Sequence, residues 1–152
     1  MGKKKIIQQT QEELIKETEK IEGATKKEPE IKISPKTKIT EGRIYISATY
    51  NNTIIALTDM AGNVLSWTTA GKIGFKGARK STPYAASKVA EALADLAKKI
   101  GIEKIQVLIK GVGSGRESAL RSLATHGLNI TSIKDITPIP HGGVRPVKPR
   151  RV

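Results

Sequence analysis

The sequence lacks cysteine, and several other residue types are scarce. With no Cys among its 152 residues, the chain can form neither a disulfide framework nor a thiolate zinc site. His126 and His141 are its two histidines, too few for a His-based metal site. No apolar run approaches the ~18 residues that cross a bilayer. The N-terminus has no apolar signal stretch, and its acids and lack of Arg argue against a transit peptide. These absences favour a cytoplasmic protein without cofactor or metal, and with no membrane partner.

Acidic residues are also outnumbered. The chain has 14 Asp and Glu against 27 Lys and Arg, so its formal net charge is +13. Such an excess repels itself unless a polyanion neutralises it, and a pI above ~9 is typical of nucleic-acid-binding domains. An anionic membrane surface and a merely solubilising charge are the alternatives. Composition therefore favours nucleic acid as the partner.

Composition divides the chain into three segments. Residues 1–41 form a Lys/Glu-rich extension with too little apolar surface to offset its ordering entropy, which predicts that it is largely disordered. Residues 42–136 have the periodic apolar pattern of a globular domain. Residues 137–152 contain four Pro, four Arg or Lys and no acid, which predicts a basic, extended C-terminal arm.

Three strands are predicted at the start of the globular segment. Residues 44–50 alternate between apolar and more polar side chains, as in a half-buried strand. Residues 53–58 and 64–69 are the next two strands, and turns at 51–52 and 59–63 separate the three. Such short turns predict an antiparallel meander.

A long helix follows the meander. Ser81 and Thr82 offer a hydroxyl at the N-cap, and Pro83 suits the first helical position. The Ala-rich stretch 84–100 continues the helix, and Gly101 is a natural C-terminal stop.

The remaining elements alternate strand and helix. Residues 105–109 and 129–133 have the character of strands. Between them, Ser114 and Glu117 have the spacing of a capping box, and Gly127 ends the helix. The fold class predicted is α/β: a three-stranded antiparallel meander followed by α-β-α-β, with parallel last strands and right-handed crossovers, as in the ribonuclease H-like mixed sheet.

A glycine-rich basic loop precedes the first helix. It carries Lys72, Lys76, Arg79 and Lys80, and a helix N-terminus already favours anions. Its glycines let the backbone approach phosphates, and Phe75 offers a face on which an unstacked base could stack. We interpret the loop as an RNA contact. The alternative is a mobile, solvated loop with Phe75 folded into the core.

A second glycine-rich turn precedes the second helix. Gly111, Gly113 and Gly115 with a later Asp135 have some likeness to a dinucleotide-binding unit. The spacing lacks the G-x-x-G step, and no second half completes such a site. A phosphate site for RNA and a purely structural turn are both better supported than a nucleotide cofactor.

Nuclease chemistry is the other enzymatic alternative, and it needs several carboxylates around metal ions. The first strand instead has Ser47 and Ala48 at its centre, while Asp59 and Asp95 lie on a turn and a helix surface. His126 suits a helix C-terminus better than a general base. The sequence therefore predicts a protein that is not an enzyme.

Several motifs of the chain match those of a known family. They are Ala48-Thr49-Tyr50-Asn51-Asn52-Thr53-Ile54, Gly74-Phe75-Lys76-Gly77, Arg79-Lys80-Ser81-Thr82-Pro83-Tyr84, Gly115-Arg116-Glu117-Ser118 with Arg121, and Asp135-Ile136-Thr137-Pro138-Ile139-Pro140-His141. Over residues 42–152 the chain resembles the universal family of small-subunit ribosomal protein eleven, in its bacterial type. The extension has no counterpart in the usual bacterial form, and Gly142-Gly143 stands where the family usually has Asn-Gly.

The resemblance implies a structural constituent of the small ribosomal subunit in the cytoplasm. It would bridge small-subunit rRNA helices on the platform, lie beside ribosomal proteins seven and eighteen, and help form the mRNA cleft where the Shine–Dalgarno duplex sits, with no homo-oligomer. A free-standing RNA chaperone and a small nucleotide-dependent enzyme are the alternatives. Basic segments and resemblance together give these candidate rRNA-binding residues: Arg43, Asn51, Asn52, Lys72, Phe75, Lys76, Arg79, Lys80, Ser81, Thr82, Lys110, Ser114, Arg116, Arg121, Arg145, Lys148, Arg150 and Arg151. Those expected near the mRNA path are His141, Gly142, Gly143 and Arg145.

Overall fold

The structure, a computed structural model, describes residues 39–145, 147 and 148. Most of the predicted N-terminal extension and the last four residues lie outside this range. The described elements are β1 (Glu41–Ala48), β2 (Thr53–Asp59), β3 (Val64–Thr69), a short 3-10 helix (Gly77–Ser81), α1 (Pro83–Ile100), β4 (Lys104–Gly111), α2 (Gly115–Thr125) and β5 (Asn129–Asp135).

The five strands form one mixed sheet in the order β3-β2-β1-β4-β5. The pairs β1–β2 and β2–β3 are antiparallel, whereas β1–β4 and β4–β5 are parallel. Parallel neighbours need crossover connections, which α1 and α2 supply. The prediction of an α/β fold with a three-stranded meander followed by α-β-α-β is therefore confirmed.

Both helices cover the same face of the sheet. In β1 every second side chain is buried, and the buried set of Ile44 and Ile46 packs with Ile55, Val107 and the helices. From α1 the core receives mainly alanines, together with Val89 and Leu93. The small alanines allow the helix to approach the sheet closely, and each fully buried Ile or Leu stabilises the fold by about 1.5–3 kcal/mol. The opposite face of the sheet has no helix on it among the described residues.

Both ends of α1 lie at the residues from which the sequence predicts them. Thr82 is the N-cap, and its Oγ1 accepts a hydrogen bond from the Ala85 N–H at 3.2 Å. Pro83 occupies the first helical position. At the other end Gly101 adopts φ 93°, a left-handed conformation that glycine adopts without strain.

The predicted capping box at the start of α2 is wrong. Ser114 has helical torsions, φ −63° and ψ −14°, whereas a capping serine has extended ones. Its hydroxyl makes no cap hydrogen bond and instead donates to the backbone carbonyl of Ser81 at 2.9 Å. The predicted stop is confirmed, because α2 ends at Thr125 and Gly127 follows with φ 73°.

One edge of the sheet gathers most of the connections. The strands β1, β3, β4 and β5 run in the same direction, so their carboxyl ends lie along a single edge. The segments 49–52, 70–82, 110–117 and 135–145 begin there, and we call them together the carboxyl edge. Both helices also start at this edge.

Candidate nucleic-acid interface

The basic loop of the carboxyl edge is held by two buried side chains. Ile73 and Phe75 are inserted into the core, and the Phe75 N–H donates to the Ala70 carbonyl at 3.0 Å. Lys72 directly before Ile73 and Lys76 directly after Phe75 are exposed. Two buried apolar side chains therefore fix the loop, while Lys72 and Lys76 remain exposed to solvent.

The prediction that Phe75 offers a face to an RNA base is wrong. The ring is 5% exposed and belongs to the hydrophobic core, because burying an aromatic side chain stabilises the loop more than exposure would. Tyr84 packs edge-to-face against it, with 6.0 Å between ring centroids. Tyr84 is itself exposed, so it is an aromatic group at this edge that the sequence reasoning missed.

The hydroxyls of the loop are used inside the protein. Ser81 Oγ donates to the Ala78 carbonyl at 2.9 Å, and Thr82 Oγ1 donates to the Arg79 carbonyl at 2.8 Å. These bonds fix the 3-10 helix against the start of α1. The first turn of α1 contains no acidic residue, so the positive end of its dipole is not neutralised by its own side chains.

The second glycine-rich turn packs against the end of β1. A Cβ on Gly111 would lie 2.2 Å from the Ala48 carbonyl oxygen, and one on Gly113 would lie 2.3 Å from that of Thr49. The Gly113 N–H also donates to the Ala48 carbonyl at 3.1 Å. These glycines are thus required for close packing within the protein, which agrees with the alternative that this turn is purely structural. Lys110, just before them, is exposed.

The two glycine-rich turns lie side by side. The hydrogen bond from Ser114 to the Ser81 carbonyl joins the start of α2 to the end of the basic loop. A second link, from Ser122 Oγ to the Ser87 carbonyl at 3.0 Å, holds the two helices together further along. The structure therefore brings both predicted phosphate-binding segments into one surface.

The β1–β2 turn completes this surface. Thr49 and Asn52 close it, because the Thr49 N–H donates to the Asn52 carbonyl at 2.9 Å and the Asn52 N–H donates to Thr49 Oγ1 at 3.1 Å. Tyr50 and Asn51 are exposed at its tip, and Tyr50 is 78% exposed. Asn52 points inward, and its Oδ1 is buried without a hydrogen-bond partner in the described structure.

Arg116 is directed into the protein. Its guanidinium donates to the Gly111 carbonyl and to Thr137 Oγ1 at 3.3 Å, and it forms an ion pair with Asp135, with 2.5 Å between Nη2 and Oδ2. Hydrogen bonds from Arg116 and then from Thr137 hold the pKa of the Asp135 carboxyl well below its ordinary value. This cluster fixes the first residue of the arm to the β4–α2 turn.

The carboxyl edge is strongly basic. Its segments contain seven Lys and Arg residues and two acidic residues, Glu117 and Asp135, and Asp135 is already paired with Arg116. Phosphate contacts from such a surface are favourable and sequence-independent. The arrangement can therefore bind a nucleic-acid backbone.

Two candidate residues lie elsewhere. Arg43 is near the start of β1 on the uncovered face, where its Nε lies 3.4 Å from Gln106 Oε1. Arg121 lines an open cleft of about 530 Å³ between α1 and α2, together with Glu91 and Glu117. Those carboxylates make the cleft a poorer anion site than the carboxyl edge.

The arm is partly described. His141, Gly142, Gly143, Arg145 and Lys148 are exposed and lie outside helix and strand. Gly142 has φ 70°, a conformation that L side chains rarely adopt. Arg150 and Arg151 are outside the described residues.

Within residues 39–145, 147 and 148, no three His, Asp or Glu side chains group as metal ligands would. Over the same residues, no helix is both long and apolar enough to span a bilayer.

The structure is that of an α/β protein, with both helices on one face of a mixed sheet and a basic edge formed by its loops. The family model described as Ribosomal protein S11 matches residues 42–151, and the chain belongs to this family. Two similar relatives are proteins named Small ribosomal subunit protein uS11, one from a strain of Treponema pallidum subsp. pallidum and one from the Nichols strain of Treponema pallidum. Each is 56% identical over 117 residues, which are 77% of this chain and 93% of the relative.

Family membership confirms the resemblance found in the sequence. The protein is a structural constituent of the small ribosomal subunit, part of the cytoplasmic ribosome, and not an enzyme. RNA binding and a role in translation follow from the family. Residues 1–41 precede the family match.

Proposed function

We propose that the carboxyl edge binds and bridges helices of small-subunit rRNA on the subunit platform. The observation that carries this proposal is the Ser114–Ser81 hydrogen bond, which joins two helix N-termini and the basic loop into one surface. Lys72, Lys76 and Lys110 lie on that surface. A bridging protein needs several phosphate contacts on one rigid body, and this edge supplies them.

Rigidity supports the proposal as well. Buried Ile73 and Phe75 hold the basic loop, and close packing of Gly111 and Gly113 holds the second turn. A preorganised surface loses less conformational entropy on binding than a mobile one would. The cations of the edge therefore contribute more of their electrostatic attraction to net affinity.

The C-terminal arm is the second rRNA-binding segment that we propose. It leaves the carboxyl edge next to the Arg116–Asp135 pair, and it contains four cations and no acid between residues 137 and 152. We assign to this arm further rRNA contacts, with His141, Gly142, Gly143 and Arg145 nearest the mRNA path. Ribosomal proteins seven and eighteen are the neighbours expected on the platform.

Salt dependence tests the role of the edge. One variant replaces Lys76 and Lys80 with Gln, and a matched control replaces Lys98 and Lys99 with Gln. The control pair lies toward the opposite end of the fold, and both variants lose the same charge. We expect the first variant to flatten the slope of log affinity for small-subunit rRNA against log salt by ~0.7–0.9 for each phosphate that is no longer neutralised. The control should keep the slope of the unmodified chain. Equal slopes for both variants would reject the edge as the binding surface.

A further inference from the structure

The face of the sheet opposite the helices carries an unusual combination of side chains. The register places Trp67, Ala56, Tyr45, Leu108 and Lys134 in one row across all five strands. Trp67 is 52% exposed, although it is the chain's single tryptophan and lies within a strand. Burial of such a ring is worth more than that of most side chains, so an exposed one on a sheet is available to a partner.

The charge of this face indicates what kind of partner it fits. Arg43, Lys110 and Lys134 project from the same face of β1, β4 and β5 as the row of Trp67. Among the described strands, the acid on this face is Glu41. It lies at the end of the sheet opposite the carboxyl edge, with 3.5 Å between its Oε1 and Lys104 Nζ. A cationic face complements a polyanion. An apolar protein partner would instead remove water from these charges without pairing them, which costs free energy.

Lys72 links this face to the basic loop. Its Nζ lies 5.2 Å from the centroid of the Trp67 ring and donates to the Trp67 carbonyl at 3.2 Å. This ammonium lies over the ring in a cation–π contact. A nucleotide can replace that contact, because its base stacks on the ring while the flexible lysine side chain turns to its phosphate. The face is continuous at this point with the carboxyl edge.

We propose that the uncovered face of the sheet binds unpaired RNA, with one base stacked on Trp67. This inference rests on the proposed function, because it extends the rRNA-binding surface from the carboxyl edge onto the sheet. The edge contacts phosphates of helices, and the sheet face takes a base from a loop, bulge or strand end. Trp67 is then the stacking residue of the sheet face. Tyr50 and Tyr84 lie at the carboxyl edge, so they do not replace it there.

Fluorescence of the full chain tests this directly, because Trp67 is its single tryptophan. Single-stranded oligoadenylate should quench the emission strongly, and an RNA duplex of equal charge should bind with much less quenching. Trp67→Ala should weaken oligoadenylate binding about 5- to 150-fold, as expected for ~1–3 kcal/mol per stacked base. Trp67→Phe should retain most of the affinity, and circular dichroism should show that both variants fold.

The outcomes separate the two proposals. Oligoadenylate that binds without quenching, or equally well to Trp67→Ala, overturns the stacking inference and leaves the carboxyl edge intact. If neither RNA binds, the proposed function itself fails. Ile54→Ala, another exposed apolar position of this face, is the control for a protein partner. Loss of subunit incorporation for Ile54→Ala and Trp67→Ala alike, with RNA binding unchanged in both, would show that a protein covers the face.

Discussion

Arg116 at the start of α2 and Asp135 at the end of β5 form an ion pair, with 2.5 Å between Nη2 and Oδ2. The pair joins the β4–α2 turn to the first residue of the C-terminal arm, and Thr137 completes it by donating its N–H and its hydroxyl to the same carboxylate. Arg116 was predicted to bind rRNA from the sequence. We propose that it positions the arm, because its guanidinium contacts the Gly111 carbonyl, Thr137 and Asp135.

Replacing each partner of this pair distinguishes the two roles of Arg116. If Arg116 positions the arm, Arg116→Gln and Asp135→Asn should weaken rRNA binding by similar factors, because both release Thr137 and the arm. If Arg116 is instead a phosphate ligand, Asp135→Asn should strengthen binding by freeing the guanidinium. A filter-binding titration of both variants at one salt concentration measures this. Opposite signs for the two variants would contradict the positioning role.

The same pair predicts a dependence of stability on pH. The pKa of Asp135 in the folded state is lowered from its ordinary value of 3.8, first by the hydrogen bond from Arg116. A carboxyl with a depressed folded-state pKa stabilises the fold fully above its unfolded pKa and loses that contribution as the pH falls through the folded one. We expect the Tm difference between the unmodified chain and Asp135→Asn to be constant from about pH 7 to about pH 5 and to shrink below about pH 4. A difference that grows on acidification would be incompatible with this pair.

Gly113 should be indispensable for packing. Its Cβ in Gly113→Ala would lie 2.3 Å from the Thr49 carbonyl oxygen, so the β1–β2 turn or the β4–α2 turn must shift. Overpacking of this kind costs about 1–3 kcal/mol. Gly71→Ala is the matched control, because the nearest atoms to its Cβ lie at 3.8 Å and it belongs to the basic loop. Chemical denaturation should show a large loss for Gly113→Ala and a change within about 0.5 kcal/mol for Gly71→Ala. A loss for Gly113→Ala as small as that for Gly71→Ala would mean that the turns around Gly113 shift at little cost.

Local signals in the sequence predicted the order and type of the elements. Pro83 and Gly101 mark the ends of α1 by their backbone preferences, and the alternation of residues 44–50 marks β1. These signals act within a few residues of one another, so they are visible without the fold. The basic loop and the second glycine-rich turn were also visible as segments, although their adjacency was not.

The direction in which particular side chains point was not predictable. In β3 the small polar residues Ser66 and Thr68 are buried while Trp67 is exposed, the inverse of what hydropathy alone indicates. The pairing of β3 with β2 sets this facing, and a single sequence does not reveal it. Phe75 is the opposite case, because nothing in a glycine-rich loop tells whether its aromatic residue points inward. Ser114 likewise has capping-box spacing but bonds to Ser81, a contact 33 residues away in sequence.

The N-terminal boundary of the fold can be located by truncation. Ile39 packs partly against the core, and the Thr40 carbonyl accepts hydrogen bonds from the N–H groups of Glu103 and Lys104 at 3.0 and 3.1 Å. Deleting residues 1–38 should therefore leave Tm nearly unchanged. Deleting residues 1–40 should cost roughly 1–3 kcal/mol more, since two hydrogen bonds at ~0.5–1.5 kcal/mol each are removed. A large loss of Tm on deletion of 1–38 alone would show that the extension stabilises the folded domain.

The arm should anchor the protein in the subunit without contributing to the fold. Residues 141–145 are exposed, so removal of residues 141–152 should leave the circular dichroism spectrum unchanged. Loss of Arg145, Lys148, Arg150 and Arg151 should weaken incorporation when truncated and full-length chains compete for limiting subunits. Equal incorporation of the two chains would exclude the arm as an rRNA anchor.

A tethered cleavage probe tests most directly whether the carboxyl edge faces small-subunit rRNA. Because the chain has no cysteine, Ala78→Cys at this edge and Glu103→Cys at the opposite end each provide one attachment point for an iron chelate. In reconstituted small subunits, hydroxyl radicals from position 78 should cut the rRNA strongly at a few clustered sites. Radicals from position 103 should cut it several-fold less. Cleavage that is equal from both positions, or stronger from 103, would contradict the assignment of the rRNA interface to the carboxyl edge.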